Sequence, residues 1–248
     1  MVLSLVSTML LLGLVLGFIG AGGSGFIIAV LVTIFDIPIH TAIGTAVPVM
    51  FFSVLTGSLS HFREGNLMLK QGLLVGGFGG LGAYIGMRLT ILLNPNFLMF
   101  CTVSMLMLSG ILIWVKTKMT LHEKDTVVTP SFLTYAGVGL GNGLISGTFG
   151  IGAANFIQLS LLKWFDYPMR IAAGTTMLVI IPIAMFASVG SIQNGYFDLM
   201  LFLQVAVSTM IGSYLGAKLT GRLPKPILRV GMVGTPILSA VVLLLNFM

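Results

Sequence analysis

Two glycine-rich clusters contain the residues whose types and spacing best suit ligand binding. Gly20-Ala21-Gly22-Gly23-Ser24-Gly25 lies inside one long apolar stretch, and Gly147 through Gly152, followed by Asn155, lies inside another. A helix that begins after such a cluster points unpaired backbone N–H groups and its positive dipole end at whatever lies in front of it. Glycine lets a ligand approach the backbone, and Ser24 and Asn155 are residue types that cap helix N-termini. The pattern predicts a site for a small anion that needs no buried lysine.

The next apolar stretch of each half adds hydroxyl groups that could face the same site. Thr45 follows Gly44, and Thr175-Thr176 follows Gly174. Two ordinary interpretations compete: threonine in a membrane helix usually bonds to its own backbone, and single glycines often serve close helix packing. The predicted substrate-binding set is Gly22, Gly23, Ser24, Gly25, Thr45, Gly150, Gly152, Asn155, Thr175 and Thr176.

Three charged residues are candidates for coupling or gating. Asp36 and Asp166 each stand two residues before a proline at a segment boundary. A helix-capping carboxylate is the ordinary interpretation there, and a proton carrier is the sharper one. Arg88 lies near the end of a span, where snorkelling to the lipid headgroups competes with ligand contact.

Enzymatic motifs are missing from the sequence. The 3 histidines are scattered and the 1 cysteine stands alone, so neither a metal set nor a disulfide is expected. There is no Walker motif, no nucleophile elbow and no pair of carboxylates at catalytic spacing. We therefore expect no enzyme activity, no metal and no cofactor.

The composition is that of an integral membrane protein. Hydrophobic residues make up 57% of the chain and charged residues 7%, whereas about a quarter of a soluble domain is charged. The apolar stretches are long and continuous, which excludes an alternating outer-membrane barrel and favours helices, because helices pair their own backbone groups. Basic residues are not interleaved with aromatic ones, so no nucleic-acid partner is expected. The predicted fold class is an all-α, polytopic helical bundle.

The chain also contains an internal repeat. Residues 17–90 align with residues 147–220 without a gap, at an offset of 130 (147 minus 17). Phe35-Asp36-Ile37-Pro38, for example, corresponds to Phe165-Asp166-Tyr167-Pro168. A duplicated hydrophobic unit interrupted by glycines is typical of secondary transporters, whose site lies where the two copies meet.

Two apolar stretches, 3–34 and 131–162, are too long for one membrane crossing and too short for two. If both fold back at their glycines, Arg88 is the only one of the 12 lysines and arginines that falls outside. If both cross, the basic residues divide between the two sides. The positive-inside rule favours the first layout. It predicts two inverted repeats, each with a glycine-broken re-entrant hairpin plus three transmembrane helices; continuous kinked spans are the alternative.

The predicted organisation has three parts. Residues 1–115 form the first transmembrane repeat, residues 116–130 a cytoplasmic linker, and residues 131–248 the second repeat. The linker is the only sizeable polar stretch. The expected location is the cell inner membrane, with multiple crossings and the lipid bilayer as a partner.

The run from Gly17 to Phe26, then Ala42-Ile43-Gly44-Thr45, with a second copy 130 positions on, resembles the sulfite exporter TauE/SafE family. The resemblance covers essentially the whole chain. One departure is that no proline follows soon after either glycine turn, at 27–30 or 157–160. The resemblance implies an inner-membrane transporter of small sulfur-containing oxyanions such as sulfite or sulfoacetate.

These observations together predict a secondary active transporter of a small oxyanion that works by alternating access, with a proton gradient as a candidate driving force. A small anionic solute is the expected partner, and a homodimer is left open. The first alternative is a passive small-anion channel of the same architecture. The second is a membrane scaffold or sensor that carries no flux.

Overall fold

The computed structural model describes residues 2–19, 24–63, 65, 67–118, 130–220 and 225–247. Within these residues the chain is helical and contains no strand, so the predicted all-α class is confirmed for this part. The helices are α1 Val2–Ile19, α2 Ser24–Thr33, α3 Ile39–Arg63, α4 Leu69–Leu89, α5 Pro95–Lys118, α6 Phe132–Phe149, α7 Ala154–Trp164, α8 Met169–Gln193, α9 Leu199–Thr220 and α10 Lys225–Phe247. A 3₁₀ turn, Thr90–Leu92, extends α4.

Three of the described helices are long and apolar enough, by length and composition, to cross a membrane: Leu69–Leu92, Pro95–Leu112 and Ile171–Gln193. Shorter apolar helices accompany them, and large apolar side chains such as Leu81, Phe100 and Leu203 are exposed on the outside of the bundle. Lipid matches such a surface, whereas water does not.

The order of helices repeats with the sequence. α1 and α6 match residue for residue at an offset of 130 (132 minus 2), and so do α3 and α8 (169 minus 39). The other equivalent pairs are α2 with α7, α4 with α9 and α5 with α10. Each copy therefore contains a short second helix between two longer ones.

α4 and α6 lie backbone against backbone. A Cβ atom added to Gly143 would lie 2.0 Å from the carbonyl oxygen of Gly79, and one added to Gly147 would lie 2.1 Å from that of Ala83. Small residues at every fourth position permit this approach between membrane helices. The residue numbers of the contacting pairs increase along both helices, so α4 and α6 are parallel.

The same contact recurs between α1 and α9. A Cβ atom on Gly13 would lie 2.5 Å from the carbonyl oxygen of Thr209, and these two residues are the repeat equivalents of Gly143 and Gly79. Each copy therefore packs its first helix against the fourth helix of the other copy. The two repeats interlock rather than stand side by side as separate bodies.

α4 also runs parallel to α8. The N–H group of Met68, before the start of α4, donates to Thr175 Oγ1 at 3.1 Å. At the other end, the Arg88 guanidinium donates to Asn194 Oδ1 at 3.1 Å. Between these bonds, α4 presents small residues to α8: Gly72, Gly76 and Gly80.

α7 runs back beside α6. The ring centroids of Tyr135, near the start of α6, and Phe165, just after α7, are 5.1 Å apart. Asn142 Nδ2 donates to Ser160 Oγ at 3.4 Å between them. The second over-long stretch is therefore two helices that fold back on each other. The equivalent turn between α1 and α2, at 20–23, lies outside the described residues.

Candidate functional site

The bend between α6 and α7 depends on a left-handed backbone. Gly150, Gly152 and Ala153 have φ angles of +68°, +72° and +45°. Glycine adopts this conformation without the steric cost that a Cβ atom brings. α7 begins at Ala154, and its first backbone bond runs from the N–H of Ile157 to the carbonyl of Ala153 at 2.9 Å. The N–H groups before Ile157 lie ahead of that bond, at the positive end of the helix.

This bend lies against the first repeat. A Cβ atom on Gly152 would lie 2.5 Å from Met50 Sδ and 3.4 Å from Ser24 Oγ. A Cβ atom on Gly150 would lie 2.8 Å from Ile43 Cγ2. Ser24 is the first residue of α2, so the start of that helix is next to the turn that precedes α7. The structure thus brings the described parts of the two glycine clusters together.

The hydroxyl group of Ser24 has no hydrogen-bond partner in the described part of the chain. Its side chain is only 1% exposed. An unpaired buried polar group costs about 1–3 kcal/mol, so such an atom points to a ligand or a bound water. The neighbours of the bend, Ile28, Ile43 and Met50, carry no formal charge. An anion at this place would find a hydroxyl group and backbone N–H groups.

The three predicted threonines differ in their surroundings. Thr45 is fully buried on α3, and its hydroxyl lacks a partner among the described residues. Thr175 accepts the bond from Met68. Thr176 donates to the carbonyl of Ala172 at 2.7 Å, the back-bonded arrangement usual for membrane threonines. No hydrogen bond of the described structure joins any of the three to Ser24.

Asn155 does not cap α7 as the sequence led us to expect. The helix begins at Ala154 with Ala153 as its N-cap residue, so Asn155 lies inside the first turn. Its side-chain amide instead donates to Ser109 Oγ on α5. The expectation was wrong because Ala153, with its left-handed backbone, is the N-cap residue. The helix therefore begins two residues before the position that an Asn155 cap would require.

Gly25 packs against α5 rather than lining open space. A Cβ atom there would lie 2.4 Å from Leu106 Cδ2, which is consistent with the packing alternative for a single glycine. α2 starts at Ser24, earlier than the predicted start after Ser24-Gly25. Gly22 and Gly23 lie outside the described residues.

Asp36 and Asp166 occupy equivalent left-handed turns, with φ angles of +52° and +51°. Ile37 donates its N–H to the carbonyl of Leu31 at 3.0 Å, and the equivalent bond in the second repeat is 3.3 Å. Aspartate tolerates this conformation better than most residues. At both positions the left-handed backbone follows the end of a short helix, and the chain turns there toward the next helix. Asp36 is exposed, whereas Asp166 is partly buried.

Arg88 connects the two repeats at the end of α4. Its bond to Asn194 is accompanied by one from Asn194 Nδ2 to the Met87 carbonyl at 2.7 Å. Tyr84 Oη donates to Gln193 Oε1 at 2.7 Å beside them. Arg88 is exposed and bonds to the end of α8. It is placed to hold α4 against α8.

Sequence reasoning missed further contacts at this end of the bundle. His40 Nε2 lies 3.1 Å from the carbonyl oxygen of Thr90, and its ring centroid lies 4.8 Å from that of Tyr196. Ser191 donates to the carbonyl of Gly44 at 3.1 Å. His40 and Thr90 lie 50 positions apart, and the other two contacts join different repeats, so no local pattern links the partners. In the described ranges no group of three His, Cys, Asp or Glu residues is placed to hold a metal ion.

Comparisons with known proteins agree over most of the chain. The family model described as Sulfite exporter TauE/SafE matches residues 5–243. The chain is 45% identical over 243 residues to the probable membrane transporter protein YdhB of Bacillus subtilis (strain 168), covering 97% of this chain and 99% of that protein. It is 26% identical to the probable membrane transporter protein YunE of the same strain, covering 87% and 88% of the two chains. No solved structure matches.

Proposed function

Since the chain belongs to the sulfite exporter TauE/SafE family of membrane transporters, we propose that its substrate is a small sulfur-containing oxyanion such as sulfite or sulfoacetate. Transport proceeds by secondary active alternating access across the plasma membrane. One observation carries this proposal: the Gly150–Ala153 bend meets the start of α2 at Ser24, whose buried hydroxyl has no partner among the described residues.

The chemistry of the bend suits an oxyanion. Sulfite and sulfonate oxygens accept hydrogen bonds, and the bend offers donors: the Ser24 hydroxyl and the N–H groups of the first turn of α7, ahead of Ile157. Helix N-termini bind anions through such groups together with the helix dipole. A site without a fixed positive charge binds the anion less tightly than a site that forms a salt bridge to it. Weaker binding favours release during transport.

An inverted arrangement of the repeats belongs to the same proposal, and helix directions support it. α9 and α3 both start at the end of the bundle where a Cβ atom on Gly44 would lie 2.6 Å from the Tyr196 carbonyl oxygen. Further along, the rings of Phe52 and Phe202 are 6.0 Å apart, so α9 runs parallel to α3. Since Ser191 at the end of α8 bonds to Gly44 near the start of α3, α3 is antiparallel to α8 and hence to α4. The equivalent helices α4 and α9 therefore run in opposite directions.

A re-entrant position for the two broken segments follows from this arrangement and from the charges. α7 returns toward the end where α6 begins. With both broken segments folded back, all lysines and arginines except Arg88 fall on one side, which the positive-inside rule assigns to the cytoplasm. The chain then crosses the membrane several times, and its two bends enter from opposite faces and meet inside.

Coupling to a proton gradient is the remaining part of the proposal, with Asp166 as the carrier. The two aspartates have the same backbone conformation, but Asp166 is partly buried and Asp36 is exposed. Acidic side chains withdrawn from bulk water are the ones that commonly form proton relays in transporters. The second repeat therefore contains the better candidate.

The proposal is tested by sulfite flux into proteoliposomes that contain the purified protein. We expect saturable uptake that an inward proton gradient accelerates, and Ser24→Ala should lower the apparent affinity about fivefold because one hydrogen bond to the anion is lost. Flux that rises linearly with sulfite concentration and ignores the gradient would identify a passive channel instead. No flux above that of empty liposomes, for sulfite or sulfoacetate, would contradict the proposed substrate class.

A further inference from the structure

A cavity that does not include the bend opens between α6 and α7. Its volume is about 550 Å³, within the range of small-molecule sites. Most of its lining is apolar, and the residues that matter here are Gly137, Gly141, Asn142, Phe156, Ser160 and Trp164. Neither Ser24 nor a residue of the Gly150–Ala153 bend lines it. We call this cavity the α6–α7 cleft.

An unpaired hydrogen-bond acceptor lies in the cleft. The Asn142 side chain is 8% exposed, and its Nδ2 donates to the Val138 carbonyl at 2.8 Å and to Ser160 Oγ at 3.4 Å. The bond to a carbonyl fixes which end of the amide is nitrogen. Ser160 uses its own proton on the Phe156 carbonyl at 2.8 Å. Asn142 Oδ1 therefore accepts no hydrogen bond from the residues that the structure describes.

The fold itself does not require this cleft, as the first repeat shows. At the offset of 130, the equivalents of Gly141 and Asn142 are Leu11 and Leu12. Leu12 is buried in the core, where it leaves no polar atom unpaired. A Cβ atom on Gly141, in contrast, would meet no atom within 4 Å. Of these two equivalent pairs of positions, only the pair in the second repeat combines open space with an amide oxygen.

The cleft is open on the outer face of the helix pair. Gly137, Gly141 and Trp164 are exposed, and they lie away from the face of α6 that contacts α4. In a membrane protein such an opening faces the acyl chains. The lining is uncharged, and the Asn142 oxygen is an acceptor that cannot bond to an anion such as the transported substrate.

We infer that the α6–α7 cleft binds an uncharged amphiphile, an alkyl chain with a hydroxyl group that donates to Asn142 Oδ1. The alkyl chain fills the apolar volume, and the hydroxyl bonds to the amide oxygen that lines it. An apolar helix face of a second copy packed against Gly137 and Gly141 would leave that oxygen unpaired. The hydrogen bond therefore selects the amphiphile.

Photolabelling of the purified protein tests this inference. The probes are a long-chain primary alcohol with a photoreactive diazirine and its methyl ether, which differs only in lacking the donor. We expect the alcohol to label α6–α7 peptides about fivefold more than the ether, the factor expected for one hydrogen bond. Asn142→Leu should abolish this preference, and Gly141→Leu should remove labelling by both probes.

The control variant is Gly77→Leu, which adds the same side chain on α4. A Cβ atom at Gly77 also meets no atom within 4 Å, and Gly77 does not line the cleft, so labelling should be unchanged. If the leucine variants fail to fold, competition by the unlabelled alcohol and ether on the wild-type protein still measures the preference. Equal labelling by the two probes, or cross-links between two copies at α6 in place of labelling, would overturn the inference.

Discussion

Gly152 and Gly195 share a φ angle of +72°, but their surroundings differ. A Cβ atom on Gly152 would meet Met50 and Ser24, whereas one on Gly195 would meet no atom within 4 Å. Alanine at either position costs about 1–2 kcal/mol because L-residues disfavour this conformation. Gly152→Ala should therefore lose most sulfite flux, whereas Gly195→Ala should retain it.

The two alanine variants have the same unfavourable backbone conformation. A difference between their sulfite fluxes therefore reflects the contacts of Gly152 at the bend. Flux is measured in proteoliposomes, and thermal denaturation in detergent checks that both variants fold. Because the closest obstacle to the new methyl group is Met50 Sδ, Met50→Ala should restore part of the flux of Gly152→Ala. Equal flux in the two single variants would show that the bend does not form the site.

Substitutions at the two aspartates can separate the effect of the carboxylate charge from that of the left-handed backbone conformation. Glycine at Asp36 or Asp166 keeps the left-handed turn and removes the carboxylate, whereas alanine also strains the backbone. We expect Asp166→Gly to abolish the acceleration of flux by a proton gradient, and Asp36→Gly to leave it intact. Both alanine variants should denature at lower temperature than the glycine variants. The same gradient response in both glycine variants would remove Asp166 as the carrier.

Residue types predicted part of the candidate site, and its other contacts depend on the tertiary structure. Ser24, Gly150 and Gly152 were expected from the glycine clusters, because backbone freedom is a local property. The partner of Thr175 could not be predicted, because Met68 lies 107 positions away in the sequence. The role of Asn155 depended on Ser109 of α5, which no sequence pattern near either residue indicates.

At the scale of helices, close packing of α4 and α6 depends on glycines that face backbone atoms. A Cβ atom on Gly143 would lie 2.0 Å from the Gly79 carbonyl oxygen, which no side-chain movement relieves. Gly143→Ala should therefore lower the free energy of unfolding by about 1–3 kcal/mol, as overpacking does. Thermal denaturation of the purified protein measures the effect.

The matched control for this helix is Gly137→Ala. A Cβ atom there would meet no atom within 4 Å, and alanine favours a helix over glycine by roughly 0.5–1 kcal/mol. We expect this variant to be as stable as the wild type or more so. If both alanine variants lower the denaturation temperature equally, the close contact with α4 is not what stabilises the pair.

The helix boundaries were easier to predict from sequence than the helix partners. α6 ends at Phe149 and α7 begins at Ala154, where the over-long apolar stretch contains its glycines. The contact of α1 with α9 was not predictable, because Gly13 and Thr209 lie in different repeats and belong to no shared motif. α5 also extends to Lys118, beyond the expected start of the linker at residue 116.

At the scale of the whole molecule, the proposed function rests on two copies of one unit, which we propose lie in opposite orientations. The offset of 130 indicated the duplication, and the family match shows membrane transport. In the proposed inverted arrangement, the two glycine-rich segments enter from opposite faces, and Ser24 lies beside Gly152. Parallel copies would place both bends near the same face and leave no shared site within the bilayer.

Side-specific cysteine labelling at two equivalent positions tests this claim most directly. Ile34 and Trp164 are related by the offset of 130, and their side chains are 58% and 52% exposed. Ile34→Cys and Trp164→Cys, each combined with Cys101→Ala, are treated in intact cells with a membrane-impermeant maleimide before and after permeabilisation. Position 34 is expected to react in intact cells, and position 164 only after permeabilisation. Labelling of both positions from the same side would contradict the inverted arrangement.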